Sequence, residues 1–455
     1  MQLDLTSGNI YQKMFRFAVP YLTACFLQSF YGMADLFIAG RFNGAAVVSA
    51  VSIGSQVMHF LTVVIVGAAM GTTIMISRAV GGKDKEGAAK AIGGSVLVFS
   101  VIAVLLTAVL ILTADGALAM LKTPPEAFRP ARDYLLICIF GVPFITAYNV
   151  ISSIFRGAGD TKSPMLFVAL AGIINIGADY ILIGLVGMGA AGAAAATVGA
   201  QAFSVLFALA AMVRRGIGIR MSGKYFRPDR NVIRRILGIG LPISCQEGFI
   251  QISFLVITAI ANSRGVHVAA AVGIVEKIIS FLFLVPGAML STVSAMAAQN
   301  AGAGFHDRAN RTLAGGIRVC VIYGLAVFVI AQLAAEPIVG MFVSGEPEVV
   351  LLGGQYFRTY AIDCMIAGIH FCFSGYFSAY GKSVYSFAHN VISIVTVRIP
   401  GAWLASVLWP ETLYALGGAA PLGSALSVVL CIYFYRKIRK NKTSAAEEQV
   451  LQKNL

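Results

Sequence analysis

The sequence is poor in charge, and above all in negative charge. Only 12% of the 455 residues are charged, with 20 Asp and Glu against 34 Lys and Arg, whereas a typical soluble domain has about 25% charged residues. Hydrophobic residues make up 58% of the chain, and the mean hydropathy is +0.82. This scarcity of charge excludes an ordinary soluble fold, and we predict an all-α integral membrane protein.

Motifs for catalysis and metal binding are missing as well. The seven cysteines all fall within apolar runs and form no CxxC pair, so we expect neither a disulfide framework nor a zinc site. No Walker, HExxH or GxSxG motif occurs, so we expect no enzyme and take an ion gradient as the energy source. The segment GMGAAG at 187–192 matches GxGxxG, but its place between two apolar runs indicates a tight turn and close helix packing.

Long apolar runs fill most of the chain. Twelve of them reach about the 20 residues that an α-helix needs to cross a bilayer. The predicted spans are residues 15–38, 47–76, 91–114, 132–155, 164–186, 190–213, 236–261, 269–297, 313–334, 354–378, 386–408 and 414–435.

The basic residues are distributed unevenly between the loops. Most of them lie in loops and tails that face inward if both termini are cytoplasmic, including the segment 214–235. This is the positive-inside pattern, and it predicts an even number of spans with both termini in the cytoplasm. Because the basic residues are spread over many loops without an aromatic-interleaved patch, we expect no nucleic-acid partner.

An internal repeat divides the chain into halves. A shift of 222 residues aligns Pro20 with Pro242 and FRGAG at 155–159 with FSAYG at 377–381. Since each half has six spans, both cross the membrane in the same direction, as parallel repeats do in transporters. The alternative is that duplication only enlarged a helical protein. The predicted domains are an amino-terminal six-helix lobe (1–213), a basic cytoplasmic linker (214–235), a carboxy-terminal six-helix lobe (236–440) and a cytoplasmic tail (441–455).

Two carboxylates interrupt the spans of the first half. A charged side chain at the bilayer centre costs about 2.5 to 3.5 kcal/mol on insertion scales, so Asp35 and Asp179 mark a candidate functional site. Asn175 lies four positions before Asp179, on the same helix face, and Thr197 is the lone hydroxyl within the segment AAGAAAATVGA (190–200) of the next run. Together they would offer oxygen ligands to a proton or Na⁺, and protonation would act as a switch. The alternative is that Asn175 and Asp179 pair only for packing.

The second half has its own intramembrane charges, Glu247, Glu276, Asp363 and Arg398. Glu276 is followed directly by Lys277, and the two point about 100° apart on a helix, which favours a structural anchor. Asp363 suits a functional role and a helix-end polar role equally. Arg398 is a candidate partner for one of the acids across the bundle.

Five segments together carry a family resemblance. In chain order they are MADLFIAGRFN, ISRAVGGKDKEGA, FRGAGDTKSPM, NIGAD at 175–179 and AAQNAGAG at 297–304. Over roughly residues 10–440 the chain resembles the multidrug and toxic compound extrusion (MATE) family, on its bacterial DinF-like side.

The resemblance implies twelve helices in two six-helix lobes, V-shaped around a central cavity. Such a protein exports amphipathic, often cationic, organic compounds in exchange for H⁺ or Na⁺ by alternating access. The resemblance matches Asp35, Asn175, Asp179 and Thr197 to the cation site of the amino-terminal lobe. It also matches Pro20 to a proline where the first helix bends, with a static kink as the alternative.

The resemblance also implies which partners the protein has and where in the cell it is located. It implies small-molecule substrates, contact with membrane lipid, a monomer, no cofactor other than the coupling ion, and a multi-pass location in the bacterial cytoplasmic (inner) membrane. The second lobe departs from the NorM-like branch, which has a glutamate deeper in helix 7. Here Glu247 lies five residues after Pro242 and the deeper position is Gln251, so a second cation site stays open.

Other functions remain as alternatives. A flippase of lipid-linked precursors, known in the wider superfamily, would need a groove rich in Arg and Lys for pyrophosphate, whereas the intramembrane cations here are few. A membrane-embedded enzyme would need a nucleophile and base or a metal cluster. The repeat and the proline-broken helices disfavour a channel.

Overall fold

The computed structural model describes residues 3–216, 218–219, 221–343 and 345–453. The helices of the first half are α1 (Ile10–Phe42), α2 (Ala45–Gly81), α3 (Lys85–Met120), α4 (Pro125–Phe140), α5 (Val142–Gly157), α6 (Lys162–Asp179) and α7 (Gly189–Arg215). Those of the second half are α8 (Arg230–Asn262), α9 (Val266–Leu282), α10 (Leu284–Gly302), α11 (His306–Gly340), α12 (Pro347–Tyr360), α13 (Asp363–Ala379), α14 (Ser383–Ser393), α15 (Ile399–Leu408) and α16 (Tyr414–Lys453).

These helices account for the predicted membrane spans. In the described part of the chain, ten helical segments are long and apolar enough to cross a bilayer. Two further pairs pass the same test together but are bent, α4 with α5 by 47° and α12 with α13 by 40°. With each bent pair taken as one span there are twelve, which confirms the all-α fold with twelve membrane helices.

The ends and bends of the helices follow from local sequence. The side chain of Asn9 accepts a hydrogen bond from Gln12 N and caps α1, and that of Asp84 caps α3 through Gly87 N. Ala334 leaves helical geometry within α11, three residues before Pro337, because a proline ring clashes with the preceding turn. The sequence analysis predicted the spans but did not predict the break at Ala334.

Two short π-helical segments break the regular helices. One, Tyr180–Leu185, directly follows Asp179 at the end of α6. The other, Ile394–Arg398, lies between α14 and α15 and ends at Arg398. Such segments are rare, and they occur frequently at functional sites because the extra residue per turn re-aims neighbouring side chains. The sequence analysis did not predict either one.

The chain forms two compact units. Unit 1 consists of Met1–Ser244 with Ala298–His306, and unit 2 consists of Cys245–Ala297 with Asp307–Leu455. The lobe boundaries at 213 and 236 and the cytoplasmic placement of the linker and tail stay predictions. Within these two segments, Ile217, Arg220 and residues 454–455 lie outside the described residues, and so do the side chains of Arg215 and of all residues from 441 onward.

Each unit has an apolar core in which glycines allow neighbouring helices to pack closely. In unit 1 a Cβ at Gly54 would lie 2.3 Å from the Tyr134 ring, so only glycine lets α2 approach α4 this closely. In unit 2 a Cβ at Gly417 would lie 2.5 Å from Tyr356 O, where α16 packs against α12. These approaches bring the polar side chains of neighbouring helices within reach of each other.

Candidate functional site

The four candidate residues of the first half meet inside unit 1. Helix α6 packs against both α1 and α7, which brings Asp35, Asn175, Asp179 and Thr197 together. The Thr197 hydroxyl donates to Asp35 Oδ2 at 3.2 Å, and Asn175 Nδ2 donates to Thr197 Oγ1 at 3.5 Å. The carboxyl groups of Asp35 and Asp179 lie next to each other, within hydrogen-bonding reach.

Burial makes this arrangement unusual. Asp35 is 4% exposed, and Asp179 is fully buried. Asp35 Oδ1, Asn175 Oδ1 and both Asp179 carboxylate oxygens are buried, and none of them accepts a well-aligned hydrogen bond in the described structure. No Lys or Arg of the described residues forms an ion pair with either acid. We call Asp35 and Asp179 the acid pair.

The acid pair has a defined chemical capacity. Two ionised carboxylates in contact repel strongly in a low-dielectric interior. A proton held between them, or a small cation bound by their oxygens, removes that repulsion. Carboxylate, amide and hydroxyl oxygens are hard ligands and suit H⁺ or Na⁺. Among the described residues, no cluster of three or more His, Cys, Asp or Glu suited to a metal ion is found.

A second polar contact next to the acid pair was not predicted. Gln201 Nε2 donates to Tyr31 OH at 3.3 Å, one helical turn from the Thr197–Asp35 contact on the same two helices. Gln201 Oε1 is buried and accepts no hydrogen bond from the described residues. The sequence does contain a hint of this contact: Tyr31 lies four residues before Asp35, and Gln201 lies four residues after Thr197. It is visible only once α1 and α7 are known to be neighbours.

Pro20 lies in the interior of α1 and is buried. The helix continues through it from Ile10 to Phe42, so this structure shows α1 as one segment. A proline here removes one backbone hydrogen bond and leaves a point where bending costs little. Its role as a bend stays a prediction.

The second-half candidates separate into two sets. Glu247 and Gln251 are half-buried on α8, and the described structure records no hydrogen bond or ion pair for either. Glu276, Asp363 and Arg398 lie together inside unit 2. Lys277, beside Glu276, is exposed and takes no part in this group.

Arg398 is at the centre of that group. Its Nη2 donates to Tyr360 OH at 2.7 Å, and its guanidinium lies 4.8 Å from the centroid of the Phe254 ring. Asp363 and Glu276 are its acidic neighbours, close enough to interact electrostatically but without a direct ion pair in the described structure. We call Glu276, Tyr360, Asp363 and Arg398 the arginine cluster.

A small polar cavity of about 40 Å³ adjoins the arginine cluster. Asp363 and Arg398 line it, with His370, Asn390 and Ser424. The last three were not predicted, because they lie on three different helices and no sequence spacing connects them.

Twelve membrane helices, arranged as a duplicated pattern with acids buried in the spans, define a class of protein, the multi-span membrane transporters. The chain belongs to the MatE family, whose model matches residues 20–181 and again 242–404. The two matches begin 222 residues apart, which is the shift of the predicted repeat. The predicted family is confirmed.

Relatives and a solved structure agree with this assignment. The chain is 27% identical to the probable multidrug resistance protein YpnP of Bacillus subtilis (strain 168), over 88% of this chain and 91% of that protein. It is 24% identical to the probable multidrug resistance protein NorM of Thermotoga maritima, over 87% of this chain and 86% of that protein. A crystal structure of MATE in the bent conformation has the same fold, with a TM-score of 0.90 at 21% identity, and the match covers 98% of this chain and 100% of that one.

Family membership decides several predictions. The chain is a multi-span membrane transporter of small organic substrates, related to bacterial multidrug resistance proteins. Transporters of this family are not enzymes and need no cofactor, so both of those predictions are confirmed by the family.

Proposed function

We propose that the chain exports amphipathic, often cationic, organic compounds in exchange for H⁺ or Na⁺, by alternating access. One observation carries the proposal: two buried carboxyl groups face each other in unit 1 without a cation of the described chain to neutralise them. An ion from solution would bind Asp35 and Asp179 with help from Asn175 and Thr197. The names of the relatives, multidrug resistance proteins, support the substrate class.

The proposal also includes the position of the chain in the membrane and a conformational change of α1. The chain would lie in the bacterial cytoplasmic membrane as a monomer in contact with lipid, with both termini in the cytoplasm. Binding at the acid pair would bend α1 at Pro20, since Asp35 and Pro20 share that helix. The acid pair would thereby change the affinity for the substrate.

The test is efflux of a fluorescent organic cation from proteoliposomes under an imposed pH gradient, with and without Na⁺. Asp35→Asn should remove gradient-driven efflux, because an amide can neither release a proton nor bind Na⁺ as an anion. Asp115→Asn is the matched control, since Asp115 is exposed on α3 and forms an ion pair with Arg132 at 2.6 Å. Unchanged efflux in Asp35→Asn would remove the acid pair from the mechanism.

A second candidate function, flipping of a lipid-linked phosphate compound, has one observation in its favour. An open pocket of about 420 Å³ in unit 1 is lined by four basic residues together with Glu86 and Asp229. The basic residues are Lys90, Lys224, Arg227 and Arg230. Failure of the parent chain to move organic cations, together with movement of a fluorescent lipid diphosphate, would favour this function.

A further inference from the structure

The arginine cluster of unit 2 contains acids that a membrane interior cannot hold alone. Asp363 is 1% exposed, and its Oδ1 accepts no hydrogen bond in the described structure. Glu276 accepts a hydrogen bond from Thr258 Oγ1 at 3.0 Å, while its Oε1 is buried without a hydrogen bond from the described residues. Burying an ionised carboxylate without a counter-charge is strongly unfavourable, so each of these groups needs a bound proton or a cation nearby.

Arg398 is held where that cation is needed. Four elements surround its guanidinium: α8 supplies Phe254, α9 supplies Glu276, α12 supplies Tyr360 and α13 supplies Asp363. The π-helical segment Ile394–Arg398 ends at this residue. Arg398 Nε is buried and makes no hydrogen bond in the described structure, so the side chain keeps a free donor.

The remaining titratable neighbours do not replace this cation. On α13, His370 lines the same cavity, and its ring lies 5.4 Å from that of His389 on α14. On α12, Tyr356 lies beside Tyr360, with the ring centroids 5.5 Å apart. Arg398 is the only permanently charged cation among the described groups that line the cavity or form the arginine cluster.

We propose that the Arg398 guanidinium is a resident cation of unit 2, which balances one negative charge shared by Asp363 and Glu276, with a proton on the other acid, in place of a diffusible monovalent cation. The geometry that carries this inference is the position of Arg398 near buried Asp363 and half-buried Glu276, beside a cavity of about 40 Å³. Removal of the guanidinium creates a binding site for a small planar cation. The inference rests on the proposed function in one respect: it takes ion coupling to be the task of the acid pair in unit 1.

The test is chemical rescue of the purified chain in detergent, followed by thermal unfolding. Arg398→Ala should have a lower apparent melting temperature than the parent. Guanidinium chloride at low millimolar concentration should raise it, whereas urea, a neutral molecule of the same shape, should not. Rescue should disappear in Arg398→Ala combined with Asp363→Asn and Glu276→Gln, because both acids that could hold the added cation are then neutral.

Arg358→Ala is the matched control, because Arg358 pairs with Glu336 at 2.8 Å at a more exposed position of the same unit. Guanidinium should stabilise it less than Arg398→Ala. Equal effects of guanidinium and urea on Arg398→Ala, or rescue that persists after Asp363→Asn and Glu276→Gln together, would overturn the proposal.

The proposal can still be tested if the Arg398 variant does not fold. If Arg398→Met is not recovered folded, the neutral set Arg398→Met, Asp363→Asn and Glu276→Gln should restore folded protein, because no buried charge then lacks a partner. Failure of both would contradict the charge-neutralising role. Because unfolding is measured without transport, this result is independent of the efflux test of the acid pair.

Discussion

The acid pair of unit 1 and the arginine cluster of unit 2 differ in charge, and they lie largely on different spans of the repeat. Asp35 and Asp179 face each other with no cation of the described chain beside them. Asp363 and Glu276 lie around Arg398. A buried acid next to another acid is destabilising until an ion arrives, whereas a buried acid beside an arginine is already neutralised. The two halves of the repeat therefore differ in the electrostatics of their buried acids.

Neutralising one member of the acid pair gives the largest expected difference between the two units. Asp179→Asn should reduce gradient-driven efflux at least about a hundredfold, which corresponds to about 2.7 kcal/mol. The apparent melting temperature should stay equal or rise, because like-charge repulsion is removed. Proteoliposome flux and thermal unfolding measure the two effects, with Asp115→Asn as the surface control. A loss of folding instead of transport would assign Asp179 a structural role.

The reverse pattern is expected for the arginine cluster. Tyr360→Phe removes the hydroxyl that accepts from Arg398 Nη2 and should destabilise the chain by about 2 kcal/mol, as expected for a hydrogen bond to a charged group. Efflux per folded molecule should remain close to that of the parent. Tyr356→Phe, at the neighbouring ring, is the control. A strong loss of ion coupling in Tyr360→Phe would remove the contrast between the units.

A smaller effect is expected from the hydroxyl beside the acid pair. Thr197→Val removes the donor to Asp35 Oδ2 and should weaken coupling by about 1 kcal/mol, or several-fold in the ratio of efflux with and without the gradient. Thr197→Ser keeps the hydroxyl and should behave like the parent. Equal ratios in all three proteins would show that Thr197 does not act on the acid pair.

The smallest effect concerns an acid outside the membrane. Donation from the Ser7 and Thr6 hydroxyls lowers the pKa of Asp4 from 3.8 to about 2. Its contribution to stability is therefore present above about pH 4 and is lost as the pH falls toward 2. Because Asp4 is exposed, solvent screening keeps that contribution below about 1 kcal/mol.

Asp4→Asn measures this last contribution. Thermal unfolding between pH 5 and pH 3 should depend less on pH in Asp4→Asn than in the parent, and Ser7→Ala should lie between them. A parent and a variant with identical pH dependence would contradict the assignment. The effect of Asp4→Asn on stability thus gives the contribution of a solvent-exposed carboxylate, with which the effects at the two buried sites can be compared.

Sequence patterning predicted the helices better than the contacts between them. The spacing of Asn175 and Asp179 placed both on one face, because the helical period is local. Tyr31 and Gln201 were missed since they meet only across α1 and α7. The sequence also suggested an acidic partner for Arg398, but not that Asp363 and Glu276 both surround it while Tyr360 accepts its hydrogen bond.

The sequence by itself determined the membrane class, the twelve spans, the repeat of 222 residues and the presence of acids within the spans. Those features depend on hydropathy and local period, which need no knowledge of neighbours. The tertiary structure decided which acids stand beside acids and which stand beside Arg398. It also placed π-helical turns next to Asp179 and at Arg398. The reason is physical: a charge–charge interaction depends on the distance between side chains from different helices, and that distance is fixed only when the helices pack.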